Sequence, residues 1–156
     1  MTDHQFLLQR VQPAMIGLID GSLSTLAPIF AIALHTHDTT SAFIAGVATA
    51  IGAGISMAFS EGLSDTGELT GRGNPFVRGS ITGVGTFLGG ILHTLPFLIP
   101  SYRVALFVAI GVVAFELLVL AWLRWRFFET SFGRSFASIT LGGGAIVGVS
   151  VALGTA

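Results

Sequence analysis

The chain is 156 residues long, and 52% of its residues are hydrophobic while only 10% are charged. A soluble domain carries about 25% charged residues, so this chain has too few charges to cover a water-facing surface, and we expect an integral membrane protein. The net charge of −1 gives no indication of a nucleic-acid partner, and the absence of cysteine excludes disulfides and thiolate metal sites.

Five apolar stretches are each long enough to cross a bilayer, for which a helix needs about 20 residues. They cover residues 14–34, 42–60, 77–99, 104–123 and 135–154. Polar or turn-forming segments separate them, such as HTHDTTS at 35–41 and SDTGELTGRGNP at 64–75. The sequence therefore predicts an all-α integral membrane protein, in which a short N-terminal tail (1–13) precedes one five-helix transmembrane domain (14–156).

The distribution of arginine predicts the orientation of these helices. With five spans, the N-terminal tail, the second loop and the fourth loop lie on one side of the membrane. That side carries Arg10, Arg72, Arg78, Arg124, Arg126 and Arg134, whereas the other side carries only Arg103. Because arginine accumulates in cytoplasmic loops, we expect a cytoplasmic N-terminus and an external C-terminus. The expected location is the inner membrane of a prokaryotic cell or a vacuole-type membrane of a eukaryotic one.

The first span contains one full charge, Asp20, within GLIDGSLSTLAPIF at 17–30. At a rise of 1.5 Å per residue, Asp20 lies about 9 Å from the cytoplasmic edge of the span. A charge inside a bilayer costs several kcal/mol and is typical of a functional residue. The alternative is a structural hydrogen bond to a neighbouring hydroxyl.

Pro28 introduces a second irregularity into the first span. It lacks an N–H, so the carbonyl of Ser24 loses its helical partner. The hydroxyls of Ser24 and Thr25 would then add oxygen ligands at a helix break one turn beyond Asp20. The alternative is an ordinary proline kink without a ligand role.

Further polar groups lie within or beside the later spans. Met57 is about 5 Å from the cytoplasmic edge of the second span, and Glu61 and Asp65 follow it on the same helical face. Glu116 lies about 10 Å from that edge on the fourth span, and His93 about 9 Å from the opposite surface. Each has a structural alternative: Met57 as a core residue, Glu61 and Asp65 as a solvated helix end, Glu116 as a protonated hydrogen-bond donor, and His93 as a satisfied bundle histidine.

Carboxylate oxygens together with a thioether favour Fe²⁺ or Mn²⁺ over Cu⁺. The residues predicted as metal ligands are Asp20, Met57, Glu61, Asp65 and Glu116. The residues predicted to couple transport to protons are Asp20, Glu116 and His93.

Three motifs resemble one family. GLIDGSLSTLAPIF resembles the D-G-x-x-S-T signature on the first helix of the vacuolar iron transporter (VIT) family. GAGISMAFSEGLSD (52–65) resembles its second-helix pattern, and GGILHTLPFLIP (89–100) its third-helix ending. The second and third stretches, with LTGRGNPFVRG (69–79), are more similar still to the membrane domain of membrane-bound ferritin-type proteins, which join a ferritin-like diiron domain to a VIT-like domain. The resemblance covers residues 11–156.

The resemblance implies a five-helix homodimer with an ion path at the dimer interface. Fe²⁺ or Mn²⁺ would leave the cytoplasm as substrate while protons move the other way, and no permanently bound cofactor is expected. By motif match, Asp20 is the intramembrane carboxylate of the first helix, Met57 the second-helix methionine on the path, and Glu61 the glutamate at the cytoplasmic end of that helix. The G-x-x-x-G spacing of Gly17 and Gly21 predicts that the dimer packs through the first span.

Two departures from the family pattern bear on ion capture. Thr49 stands where the family usually has a glutamate, and the long metal-binding insertion is reduced to residues 64–79. The ferritin-like domain of the fused relatives is also missing. Capture would then fall to another subunit, to Glu61, Asp65 and Glu68, or to the rest of a longer protein. Glu116 can replace the charge lost at Thr49, which is our inference and not a family residue.

Two functions remain open from the sequence. The first is a proton-coupled exporter of Fe²⁺ or Mn²⁺. The second is a membrane anchor or partner subunit that has lost transport and serves a soluble iron-binding, ferritin-like protein. An enzyme is not expected, because no nucleophile–base pair or phosphate-binding loop is evident. The expected partners are a second copy of the chain and membrane lipid, with no nucleic acid.

Overall fold

A computed structural model describes residues 2–128 and 131–155, and every regular element in these ranges is a helix. The five long helices are α1 (Asp3–Thr36), α2 (Thr39–Gly62), α3 (Pro75–Leu92), α4 (Tyr102–Phe128) and α5 (Phe132–Gly154). The first residue of the expected tail, two residues of the fourth loop (129 and 130) and the last residue of the expected transmembrane domain lie outside the described residues.

Four of these helices, α1, α2, α4 and α5, are long and apolar enough to cross a membrane. The protein is thus all-helical and consistent with an integral membrane protein. Helix α3 is less apolar because glycine, threonine and one arginine occupy its buried face. That face consists of Arg78, Gly79, Thr82, Gly83, Gly85, Thr86, Gly89 and Gly90. These small residues let neighbouring helices approach closely, but they also lower the hydropathy of α3. That α3 crosses the membrane therefore stays a prediction.

Helix α3 contacts α1 at a distance that only glycine permits. A Cβ added at Gly17 would collide with the carbonyl oxygen of Thr82 and lie 2.9 Å from the backbone nitrogen of Thr86. A Cβ added at Gly21 would collide with the carbonyl oxygen of Thr86. These two glycines therefore form the contact with α3 of the same chain. Their G-x-x-x-G spacing is filled by this contact, and a dimer packed through the first span stays a prediction.

The opposite side of α3 contacts α2 in the same way. A Cβ added at Gly83 would lie 2.6 Å from the carbonyl oxygen of Gly54 and 2.6 Å from the side chain of Ala58. Helix α3 is thus packed by its backbone between α1 and α2. This packing fixes the position of the residues that follow its C-terminal end.

The chain after α3 turns through a short 3₁₀ helix, Leu95–Leu98, before α4 begins. Phe97 of this turn packs edge-on against Phe30 of α1, with ring centroids 6.3 Å apart. Both rings belong to an apolar cluster that includes Leu26 and Ile29. This cluster holds the turn against the second half of α1 and so places His93 beside that helix.

We predict that Gly17→Ala destabilises the protein by about 1–3 kcal/mol, because the added methyl meets backbone atoms of α3 that cannot rotate away. The matched control is Gly111→Ala on α4, where an added Cβ has open space. It should be neutral or stabilise by up to about 1 kcal/mol through helix propensity. Thermal unfolding midpoints in detergent would measure both. Equal midpoints for the two variants would contradict the close contact between α1 and α3.

Candidate functional site

Helix α1 is interrupted where Pro28 predicts a break. Regular helix ends at Ser24 and resumes at Leu26, with Thr25 between them. The Ser24 side chain is exposed, whereas Thr25 is fully buried. The two hydroxyls proposed as helix-break ligands therefore lie in different environments, and only Ser24 is on the outer surface of the bundle.

Thr25, His93 and Glu116 form a buried hydrogen-bonded triad. The Thr25 hydroxyl donates to the carbonyl oxygen of Gly21 at 2.8 Å, and its oxygen lies 2.8 Å from Nε2 of His93. On the other side of the imidazole ring, Nδ1 lies 3.0 Å from Oε2 of Glu116. The triad joins the break in α1 to the end of α3 and to α4, and we refer to it as the buried triad.

The expected separation in depth between Glu116 and His93 is wrong. The fourth helix runs from Tyr102 to Phe128, further at its C-terminal end than the predicted span, which places Glu116 near its middle. His93 follows the last residue of α3 and is turned into the bundle by the packing of Phe97. Two residues expected near opposite surfaces are thus in direct contact.

Both ring nitrogens of His93 are bonded within the buried triad. Nε2 faces the Thr25 oxygen and Nδ1 faces Oε2 of Glu116. The tautomer and charge of the imidazole decide which atom of each pair donates.

Glu116 retains one oxygen without a partner. Its Oε1 is buried and has no hydrogen bond to any part of the described chain. Glu116 also lines a cavity of about 320 Å³, whose other walls are mostly apolar side chains of α1, α3 and α4. A buried carboxylate oxygen left unsatisfied is costly, so this oxygen marks a place where a proton or a donor group can be accommodated.

A second polar cluster closes the loop between α2 and α3. Oε1 of Glu61 accepts from Arg72 at 2.6 Å and from Arg78 at 2.8 Å. Oδ2 of Asp65 faces the same two arginines at 3.1 and 3.3 Å. The guanidinium of Arg78 is 1% exposed and also donates to the carbonyl oxygen of Gly73. We call these four charged side chains the loop cluster.

The loop cluster keeps Asp65 ionised at neutral pH. Desolvation raises the pKa of Asp65. Hydrogen bonds from Thr70 and Gly67 and the charge of Arg78 together lower it by more, so the pKa of Asp65 is below its usual value. The sequence reading identified the two carboxylates and missed their partners. The available signal was the opposite charge of Arg72 and Arg78 within a short loop.

Asp20 and Met57 lie apart from both polar groups. Each is half-buried, on α1 and α2 respectively. Across the described residues, Asp20 forms no hydrogen bond or ion pair. No three His, Cys, Asp or Glu side chains of the described chain come together as a metal site. The predicted ligands thus divide into an unpaired carboxylate on α1, a thioether on α2, two arginine-bound carboxylates and one histidine-bound carboxylate.

Comparison with models of protein families, with characterised proteins and with solved structures finds no match to this chain.

We predict that Arg78→Met destabilises the protein by about 3–5 kcal/mol, because it removes one of the two arginines that pair with the buried Glu61 carboxylate. Adding Glu61→Gln to Arg78→Met should restore part of the loss, since the remaining pair of Arg72 and Asp65 is intact. The exposed Arg103→Gln is the control and should change stability little. Unfolding midpoints in detergent would test this. If the double variant were as unstable as the sum of the two single variants, the pairing of Glu61 with Arg78 would be refuted.

Proposed function

We propose that this protein is a VIT-like, five-helix homodimer that exports Fe²⁺ or Mn²⁺ from the cytoplasm in exchange for protons. The observation that supports it most is the unpaired carboxylate of Asp20 on a helix able to span a membrane. The assignment to the VIT family rests on the three sequence motifs, and the choice of ion rests on these motifs and on the oxygen and thioether ligands.

The chemistry of Asp20 explains how metal and protons would exchange. A carboxylate without a partner in a membrane-spanning helix is stable when it is protonated or when it binds a cation. A divalent cation must displace the proton to bind, and a proton displaces the cation. Alternating occupancy by the two ions, with access from each side in turn, is antiport.

A single chain supplies too few ligands for a divalent ion at Asp20. A two-fold dimer would bring a second carboxylate and a second thioether to the same axis. With Gly17 and Gly21 occupied by α3, the proposed interface is the exposed face of α1 that carries Asp20 and Ser24. Met57 would contribute from the adjacent α2.

The loop cluster favours the alternative function. Glu61 and Asp65 are the residues predicted to capture the ion, and arginines already neutralise both. A metal ion would have to displace two guanidinium groups to bind there. This arrangement suits a membrane anchor or partner subunit that receives iron from, or holds, a ferritin-like protein. The two functions differ in whether the isolated protein moves metal.

We predict that Ser24→Cys cross-links two chains on mild oxidation. The chain contains no cysteine, so a single introduced thiol reports on one position, and two thiols near a two-fold axis can meet disulfide geometry. The matched control is Ser138→Cys, exposed on α5, which should remain monomeric on a non-reducing gel. Cross-linking of Ser138→Cys in preference to Ser24→Cys would place the interface elsewhere.

We predict that Asp20→Asn folds and dimerises but loses metal flux by at least about tenfold, because the amide keeps the shape and removes the exchangeable charge. Mn²⁺ uptake and internal pH would be recorded in the same liposomes under an imposed pH gradient. Ser138→Ala, at an exposed position of α5, is the matched control and should keep most of the flux. Wild-type rates in Asp20→Asn would make Asp20 structural, and absence of flux in the unmodified protein would favour the anchor.

A further inference from the structure

We propose that the cavity of about 320 Å³ between α1, α3 and α4 binds a membrane-soluble alcohol or phenol, whose hydroxyl group hydrogen-bonds to Glu116. We refer to this cavity as the lateral cavity. It is lined by neither Asp20 nor Met57, the two residues left for a metal ion. The site therefore does not depend on whether the protein transports metal.

The lateral cavity lies where two helices fail to meet. Helices α3 and α4 both pack against α1, but in the described chain they hardly contact each other. Leu92 of α3 and Phe115 of α4 line the cavity and are 46% and 68% exposed, so the cavity is open to the outer surface of the bundle. In a membrane this surface faces lipid, and a ligand can enter from the hydrocarbon region.

Two buried polar side chains, Ser22 and Glu116, interrupt the apolar wall of the lateral cavity. Glu116 is 6% exposed, and His93 bonds its Oε2 while its Oε1 has no partner. Ser22 is 3% exposed, and its hydroxyl forms no hydrogen bond within residues 2–128 and 131–155. Because buried polar groups are nearly always hydrogen-bonded, two unsatisfied groups on one wall indicate that the cavity receives a polar group.

A hydroxyl group on an apolar molecule suits this wall best. A hydroxyl offers a donor to Oε1 of Glu116 and an acceptor to the hydroxyl of Ser22. A buried water molecule needs two to four polar partners, and one water would leave most of this apolar cavity unfilled. An ammonium group would bring a further charge into a buried site, at a high desolvation cost. A neutral hydroxyl avoids that cost.

The shape of the lateral cavity limits the size of the ligand. From Glu116 the wall continues along α4 through Val119 and Leu120 to Leu123, over about 10 Å of helix. Sites for small molecules have volumes of about 300–1,000 Å³, and this cavity is at the lower end of that range. A phenol ring with a short alkyl chain fits such a space, whereas a phospholipid would place only part of one chain in it.

Photolabelling of the unmodified protein in nanodiscs, without metal, tests the site. The probe is a para-alkylphenol with a diazirine at the end of its alkyl chain, and mass spectrometry identifies the labelled residues. Labels should concentrate on Leu18, Leu120 and Leu123. At equal concentration in the membrane, para-butylphenol should compete at least about fivefold better than its methyl ether, because the ether cannot donate a hydrogen bond to Glu116.

A variant that fills the lateral cavity provides a second test. Val119→Phe places a ring in the cavity while keeping Ser22 and Glu116, and it should remove most of the labelling. The matched control is Val149→Phe, at an exposed position of α5, which should be labelled like the unmodified protein. Because the comparison of the phenol with its ether needs no variant, failure of Val119→Phe to fold leaves the test intact.

Three results would overturn the inference. Equal competition by the phenol and its ether would show a groove that takes any apolar chain. Labels spread evenly over the exposed surfaces of α4 and α5 would show no site, and unchanged labelling of folded Val119→Phe would place the site elsewhere. If liposomes moved no metal but the labelling followed the expected pattern, the proposed function would fail and this site would stand.

Discussion

The close contact between α1 and α3 is the constraint on which the polar interior depends. The glycines of α1 allow the two backbones to touch, and the backbone atoms of Thr82 and Thr86 in α3 lie where side chains of α1 would otherwise be. This contact fixes the axial position of α3 relative to the break in α1. His93, one residue beyond α3, can then reach Thr25 and Glu116 together.

Much of the fold could be predicted from the sequence, because long apolar segments and Pro28 act locally. The positions of α2, α4 and α5 and the break near Thr25 follow from such signals. The predicted ends of the other two spans were wrong, because α1 already begins at Asp3 and α3 ends at Leu92 instead of residue 99. The partners of the glycines could not be predicted, since G-x-x-x-G spacing describes one face of a helix and not what fills it. The contact between His93 and Glu116 was missed for a related reason. The depth of each residue was counted along its own predicted span. Such a count does not include the C-terminal extension of α4 or the turn after α3.

The structure separates roles that the sequence grouped together. Glu61 and Asp65 are bound by arginines, and Glu116 is bound by a histidine. In the proposed exchanger, Glu116 and Thr25 are bonded to His93, which leaves Asp20 and Met57 for the ion.

The location of bound Mn²⁺ tests the central claim most directly, because the claim assigns the metal to Asp20 of two chains and not to the bonded carboxylates. Anomalous diffraction from crystals of the protein grown with Mn²⁺ would locate the ion. The account predicts one peak on a two-fold axis between the Asp20 carboxylates of two chains, and none at Glu116 or in the loop cluster. A peak beside Glu61 and Asp65, or at Glu116, would contradict it.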